Sequence, residues 1–585
     1  MRVPQTMSWS PSFPGSSNTP GSSTTLCVQT RTAILLTLCL TLELLVISSA
    51  SAQLGISDAF QINGGIESQL GYASAVGDFN GDGYQDLAIG LPTADTAGAD
   101  NSGAVVIFHG NHDFLSSSLG VTATLAGGAD ESGALFGAAL ATGDFDNNGF
   151  DDLVIGIPGK VVNGADNAGQ LVVLYSDDQG LDLEGQFLSQ APLPGVPEAG
   201  DQFGSSFAVG DLSQDFVDDL AIGIPGEDLQ GETGLQQDAG AVNIVYGSAG
   251  VGLTTDGDQL LHEDTNGVGL NANANERFGF SLAIGHFDGL TPMDLVVGAP
   301  GEVVLGPGHH GAAIIFPGSR GGLDPLGSEE TVLSQAADGV LGNHQDGDEF
   351  GYSLAAGFFN ADSRVDLAIG VPGESELGTN ESGAVQVFYG AFGGLSVEGN
   401  QFLVESVLDV DVAPFDRFGE ALAAGDFNAD GEDDLAIGAP LDNSLGVVNS
   451  GEVTVLYGGL EGISIEGFQV FDMIFFDTLD AGDRFGFSLS AGRFFREQSQ
   501  GTFPNPQSED LVVGAPLRAS DQNPVGRVVV IRSISIFLDG FESGDLTKWD
   551  IANPPRSSDR FGSLGCLPVA APLRPKPQRI GDAGP

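Results

Sequence analysis

Residues Gly77–Gly90 read GDFNGDGYQDLAIG. Asp78, Asn80, Asp82 and Asp86 stand at positions one, three, five and nine of a short loop, and the apolar run Leu87–Ile89 follows at once. Oxygen-bearing side chains at alternating loop positions converge on one centre when the backbone turns tightly, and Gly83 at position six permits that turn. Asp and Asn also build turns with no ion, by bonding their own backbone. One loop alone leaves both readings open.

The stretch recurs. Repeats start at Leu70-Gly71, Phe136-Gly137, Phe203-Gly204, Phe278-Gly279, Phe350-Gly351, Phe418-Gly419 and Phe485-Gly486. Each runs through an Asp-rich loop and an apolar segment to a Gly-x-Pro that opens at Gly90, Gly156, Gly223, Gly298, Gly370, Gly438 or Gly514. Six of the seven start-to-end separations are 20 residues; the seventh is 29, an insertion within 493–509. Chance does not hold a spacing six times, so the chain is built of repeats. A strand-like segment flanked by turn glycines follows each Gly-x-Pro, as in SGAVVIFHG (102–110) and SGEVTVLYG (450–458). Another precedes the next start, as in QFLSQ (186–190), DQLLHE (258–263) and NQFLVES (400–406). Four strands per repeat, seven times, predict an all-β seven-bladed propeller. No fourth strand is evident after Ser533, and an unpaired one, AFQING (59–64), waits before the first repeat. The N-terminal strand is therefore expected to complete the seventh blade and close the ring, which removes an exposed edge.

Phe-Gly, an acidic loop and Gly-Ala-Pro (the last at 298–300, 438–440 and 514–516) resemble the FG-GAP repeat of the integrin α N-terminal propeller. The resemblance covers about residues 59–533. It implies calcium in the loops, with side-chain ligands at positions one, three, five and nine and a backbone carbonyl from position seven. Carried over, the first loop offers Asp78, Asn80, Asp82, the carbonyl of Tyr84, and Asp86. The second offers Asp144, Asp146, Asn148, the carbonyl of Phe150, and Asp152. The sixth offers Asp426, Asn428, Asp430, the carbonyl of Glu432, and Asp434. The third keeps Asp211, Ser213, Asp215 and Asp219, but Phe216 replaces the turn glycine. The fifth lacks the first carboxylate (Phe358), the fourth has Leu290 at position five, and the seventh begins at Arg493. Such an ion would staple the hairpin that carries it and so stabilise the folded ring.

The whole chain bounds the partners. Its 585 residues carry 19 Lys and Arg against 79 Asp and Glu, a formal charge of −60. That charge repels phosphate backbones and anionic lipid, so nucleic acid is not expected as a partner. Glycine is abundant, at 88 residues, without a three-residue period, and marks turns between strands. An apolar run over 32–47 followed by SSASAQ reads as a leader, residues 1–52, cleaved after Ala52. No second apolar run of that length follows. Cys27 and Cys39 leave with the leader, and Cys566 alone remains, so no internal disulfide is expected. Residues 534–585 form a Pro- and Arg-rich tail; IFLDGFESGDLTKWD (536–550) resembles a segment near the ends of some secreted bacterial proteins. With the missing disulfides, this points to a bacterial source and a secreted or cell-surface location.

Catalytic signatures are missing from the sequence. The seven His form no zinc-type pair, and neither a G-x-S-x-G elbow nor a phosphate-cradling loop with Lys appears. The expected function is therefore a secreted, calcium-binding, non-catalytic propeller mediating protein binding or cell adhesion. The long loops Gly226–Ala239, Gly301–His310, Asn266–Arg277 and Asp338–Glu349 would carry recognition, on the face opposite the calcium loops. The alternatives are a carbohydrate-binding lectin, for which the mature chain offers only Trp549 as an indole platform, and an accessory module of an extracellular enzyme.

Overall fold

The computed structural model describes residues 54–63, 69–96, 99–110, 131–231, 234–265, 270–304, 308–323, 331–376, 378–408, 412–476, 479–494, 508–516 and 526–533. The leader at 1–52, the tail at 534–585 and most of the insertion at 493–509 lie outside the described residues.

The chain is an all-β propeller of seven antiparallel sheets, one per repeat. Blade one runs through Ser74–Gly77, Asp86–Leu91 and Ala104–Phe108. Blades two to six each show four strands in chain order, without crossovers. In blade seven, Ser488–Gly492, Asp510–Ala515 and Arg527–Ser533 are joined by the N-terminal strand Leu54–Asn63. That strand lies antiparallel to the last, with Gln61 opposite Val529 and Asn63 opposite Arg527. It is longer than the segment expected from the sequence and carries an irregularity between Gly55 and Phe60.

The first strands touch one another in a closed cycle, blade seven meeting blade one. The second strand of each blade is buried at all six positions. Both of its faces are covered, which is why it reads as a continuous apolar run rather than an alternating one. Its two faces differ in size. Leu87 and Ile89 share a core with Val512 and Val528 of blade seven. Ala88, pointing the other way, shares one with Leu153 and Ile155 of blade two. The face carrying this middle residue, Ala or Val, thus meets the Leu-bearing face of the next blade, and the pattern repeats at every junction around the ring.

The repeat glycines are set by the same junctions. Gly71 sits at φ +88° and Gly486 at +90°, a region that costs other residues strain. Their carbonyls press on the Gly-x-Pro glycine of the preceding blade: Gly486 on Gly438, and Gly71 on Gly514. Ser281 Oγ donates to Gly351 O at 2.7 Å, and Ser488 Oγ makes the same bond to Gly71 O at 2.8 Å across the last junction.

A second tie lies further from the axis. Tyr175 donates to Gln186 (2.6 Å) and accepts from the backbone N–H of Leu253 in the next blade (2.9 Å), while Gln186 Nε2 donates to Leu253 O (3.1 Å). Tyr246, Gln259 and Leu323 repeat the clasp, as do Tyr389, Gln401 and Ile463. Tyr246→Phe leaves a buried N–H without its acceptor, an expected loss of about 1–3 kcal/mol. Urea unfolding reads it; an unchanged midpoint would show that the clasp contributes nothing.

Candidate metal centre

The acidic loops are the hairpins between first and second strands. Position nine is the first residue of the second strand, and it is buried in all seven blades: Asp86, Asp152, Asp219, Asp294, Asp366, Asp434 and Asp510. Its oxygens tie the hairpin together. Asp152 accepts from Phe145 N (3.1 Å) and Ser176 N (2.8 Å), and Asp434 from Phe427 N (2.8 Å) and Gly458 N (3.0 Å). Asp294 and Asp366 make the same ties in blades four and five, where other ligand positions are lost. The position-nine carboxylate therefore braces the hairpin whether or not an ion is bound. In Asp152 each oxygen takes one of these bonds, which leaves a lone pair on each for a cation.

Position one organises the turn. Asp78 accepts from Asp82 N (3.1 Å) and Gly83 N (2.8 Å), Asp144 from Asn148 N (2.9 Å) and Gly149 N (2.8 Å), and Asp426 from Asp430 N (3.1 Å) and Gly431 N (3.2 Å). Asp211 does the same to Asp215 N (3.1 Å) and Phe216 N (3.0 Å). Phe216 takes φ +68°, in the region of Gly83 at +84° and Gly149 at +90°, and the residue is 84% exposed. The third loop therefore keeps the turn that the missing glycine put in question, at the cost of local strain. Position five caps position seven in each: Tyr84 N donates to Asp82, Phe150 N to Asn148, Val217 N to Asp215 and Glu432 N to Asp430.

Blade two fits a cation best. One oxygen each of Asp144, Asp146 and Asp152 lie within 4.8 Å of one another. Burial lifts the Asp152 carboxyl to about 7, with Asp146 and Asp144 adding repulsion. A divalent ion relieves both penalties. In blade six, Asp426 and Asn428 are buried, and Asp434 is raised to about 9 by burial, then by Asp430 and Asp426. Asn428 Nδ2 faces Asp430 (2.9 Å) and Asp434 (3.4 Å). In blade three, Ser213 contributes its backbone N–H to Asp219 (3.0 Å), and burial lifts Asp219 to about 7.

Blade one holds a residue that sequence reasoning passed over. His109 Nδ1 lies 2.9 Å from Asp86 Oδ2 and 3.1 Å from Asn80 Nδ2. The hydrogen bond to Asp86 raises the pKa of His109. A protonated His109 neutralises Asp86 and competes with an ion there. His109 directly follows the third strand, at the register that Tyr175, Tyr246, Tyr389 and Tyr457 hold elsewhere. An imidazole where other repeats keep a phenol is the signal that could have found it.

The loops are also linked to one another. Asp78 N donates to Asp151 of blade two (2.7 Å), Asp144 N to Asp218 of blade three (3.0 Å), and Phe358 N to Asp433 of blade six (2.8 Å). The acceptor is position eight of the next loop, so what orders one hairpin also bears on its neighbour.

The family model for the FG-GAP repeat matches residues 70–108, 136–174, 203–244, 350–388 and 418–456. The chain carries FG-GAP repeats. The matched FG-GAP units are blades one, two, three, five and six; blades four and seven, which depart furthest from the ligand pattern, lie outside the match. Integrin alpha-8 of Gallus gallus is 30% identical over 243 residues, 40% of this chain and 20% of that protein. Integrin alpha-PS2 of Drosophila melanogaster is 31% identical over 239 residues, 40% of this chain and 15% of that protein. Phosphatidylinositol-glycan-specific phospholipase D of Homo sapiens is 35% identical over 167 residues, 28% of this chain and 19% of that protein. The FG-GAP chain thus spans about a fifth of the length of these relatives. Among the described residues no helix is long and apolar enough to cross a membrane.

Proposed function

We propose that this chain is a secreted or cell-surface, non-catalytic FG-GAP propeller, braced by calcium and binding a protein outside the cell. The observation that carries the reading is the ring of integrin-like hairpins, with the Asp144, Asp146 and Asp152 carboxylates gathered in one of them. Blade two would hold its ion through these residues and the Asn148 side chain, with the Phe150 carbonyl as the fifth protein ligand. Asp78, Asn80, Asp82, Tyr84 and Asp86 would serve in blade one, Asp211, Ser213, Asp215 and Asp219 in blade three, and Asp426, Asn428, Asp430, Glu432 and Asp434 in blade six. The ion neutralises the hairpin; recognition falls to loops at the other end of the ring. Antiparallel strands put the second-to-third and inter-blade loops together at that end. The second-to-third loop of blade three builds its own small hairpin, Leu229–Gly231 with Gly234–Gln236, and leaves Leu235 exposed.

The match to a phospholipase D favours a second reading, an accessory module of an extracellular enzyme. One experiment addresses both. Immobilised full chain, with calcium or EGTA, is offered an extracellular protein fraction. A protein retained in calcium, and lost when Leu229–Gln236 is replaced by a short turn, supports recognition by this face. Retention of an enzyme activity supports the accessory role. Failure to retain any protein would overturn the binding reading.

A further inference from the structure

At the end opposite the hairpins, each of several junctions builds a buried pocket from three separate segments. One residue follows the outer strand of a blade. The second stands two before the Phe-Gly of the next, and the third four after that blade's Gly-x-Pro glycine. Between blades two and three these are Gln190, Asp201 and Glu227; between four and five, Gln335, Asp348 and Glu374. In both, the glutamine amide donates to the glutamate, Gln190 to Glu227 at 2.6 Å and Gln335 to Glu374 at 2.7 Å.

Between blades three and four the same positions are Glu263, Glu276 and Glu302. They are 1%, 0% and 1% exposed, and one oxygen of each lies within 4.8 Å of the others. Glu276 is already supplied with donors, by the backbone N–H and the amide of Asn273. Glu263 has none: neither of its carboxylate oxygens meets a donor, nor does Oε2 of Glu302. Among the described residues no Lys, Arg or His forms an ion pair with any of the three. Three buried acid groups cannot share such a pocket as bare carboxylates, because desolvation and mutual repulsion both oppose ionisation. Where the neighbouring junctions place an N–H, this one places two unsatisfied oxygens.

We propose that Glu263, Glu276 and Glu302 hold a hard divalent cation of the calcium class between blades three and four. An all-carboxylate set selects hard cations over soft ones. The ion would bind two blades to each other, whereas a hairpin ion braces one. Glu405, Asp416 and Asp442 occupy the same positions between blades five and six, again with one oxygen each within 4.8 Å. There Glu405 Oε2 and Asp416 Oδ1 meet no donor, and the same assignment follows.

The test counts ions. Full chain is stripped with EDTA, dialysed against mixed Ca2+, Mg2+ and Mn2+, and its bound metal measured by mass spectrometry. Glu263→Gln copies the glutamine of the adjacent junctions and is expected to bind one ion fewer than the parent. Asp144→Asn reports the blade-two hairpin separately, so loss of that site and loss of this one are distinguishable. In EDTA, Glu263→Gln should melt above the parent, because an amide replaces a repelling carboxylate. In the metal mixture the advantage should shrink or reverse. An unchanged ion count in Glu263→Gln would overturn the proposal and assign shared protons to the pocket. Should that variant not fold, anomalous diffraction from Mn2+-soaked crystals decides: a peak between blades three and four supports the site, and its absence refutes it.

Discussion

Replacing Gly514 by Ala is expected to destabilise the ring by roughly 2–3 kcal/mol, and Gly438→Ala by a similar amount. A Cβ on Gly514 would fall well under 3.0 Å from the Gly71 carbonyl oxygen and from Ser488 Oγ. A Cβ on Gly438 would meet the Gly486 carbonyl in the same way. Neither glycine has positive φ, so the cost is steric rather than conformational. The carbonyls of Gly71 and Gly486 are backbone in a packed seam, and the seam must open to admit a methyl group. The pair is informative because Gly438 lies between blades six and seven, whereas Gly514 lies between the last blade and the first. In a closed ring the two seams are equivalent. Urea unfolding measures both, with Gly459→Ala as the reference, since nothing lies within 4 Å of its added Cβ. A costly Gly438→Ala beside a neutral Gly514→Ala would mean that blades seven and one separate in solution.

Withdrawal of calcium is expected to lower the melting temperature of the full chain, and Asp144→Asn to reduce the part of that shift owed to blade two. An ion at one hundred times its dissociation constant stabilises the folded state by about 2.7 kcal/mol per site. Asp144 is the informative position. Its carboxylate both organises the turn and joins Asp146 and Asp152 in the acidic cluster. The asparagine variant keeps an acceptor for one of the two N–H bonds while removing the charge. Asp288→Asn in blade four, where Leu290 occupies position five, should leave the calcium-dependent shift unchanged. The gain from calcium should also diminish at low pH, because protons and the ion compete for the same carboxylates. Calorimetry with calcium or EGTA reads all four, and a melting temperature indifferent to EGTA in the parent would refute structural calcium.

Much of this was legible in the chain itself. The 20-residue spacing located six of the seven hairpins, because start, loop, strand and Gly-x-Pro of one repeat lie close together and are fixed by local geometry. GDFNGDGYQDLAIG announced both its turn and its buried strand. The bracing role of Asp86 and its equivalents was not legible. A ligand pattern and a backbone tie use the same residue type, and only the ties of Asp294 and Asp366 in ligand-poor loops separate the two. His109 escaped because it approaches Asp86 from another strand.

The sequence by itself determined the number of blades, the order of strands along the repeat, and the acidic hairpins. Only the tertiary structure decided which residues of different repeats meet. It set Ala88 against Leu153 and Ile155, Tyr246 against the backbone of Leu323, and Glu263 beside Glu276 and Glu302. The reason is physical. Contacts within a hairpin are imposed by a short, regular stretch of backbone. Contacts between blades join segments separated by loops of varying length, and only closure of the ring brings them together.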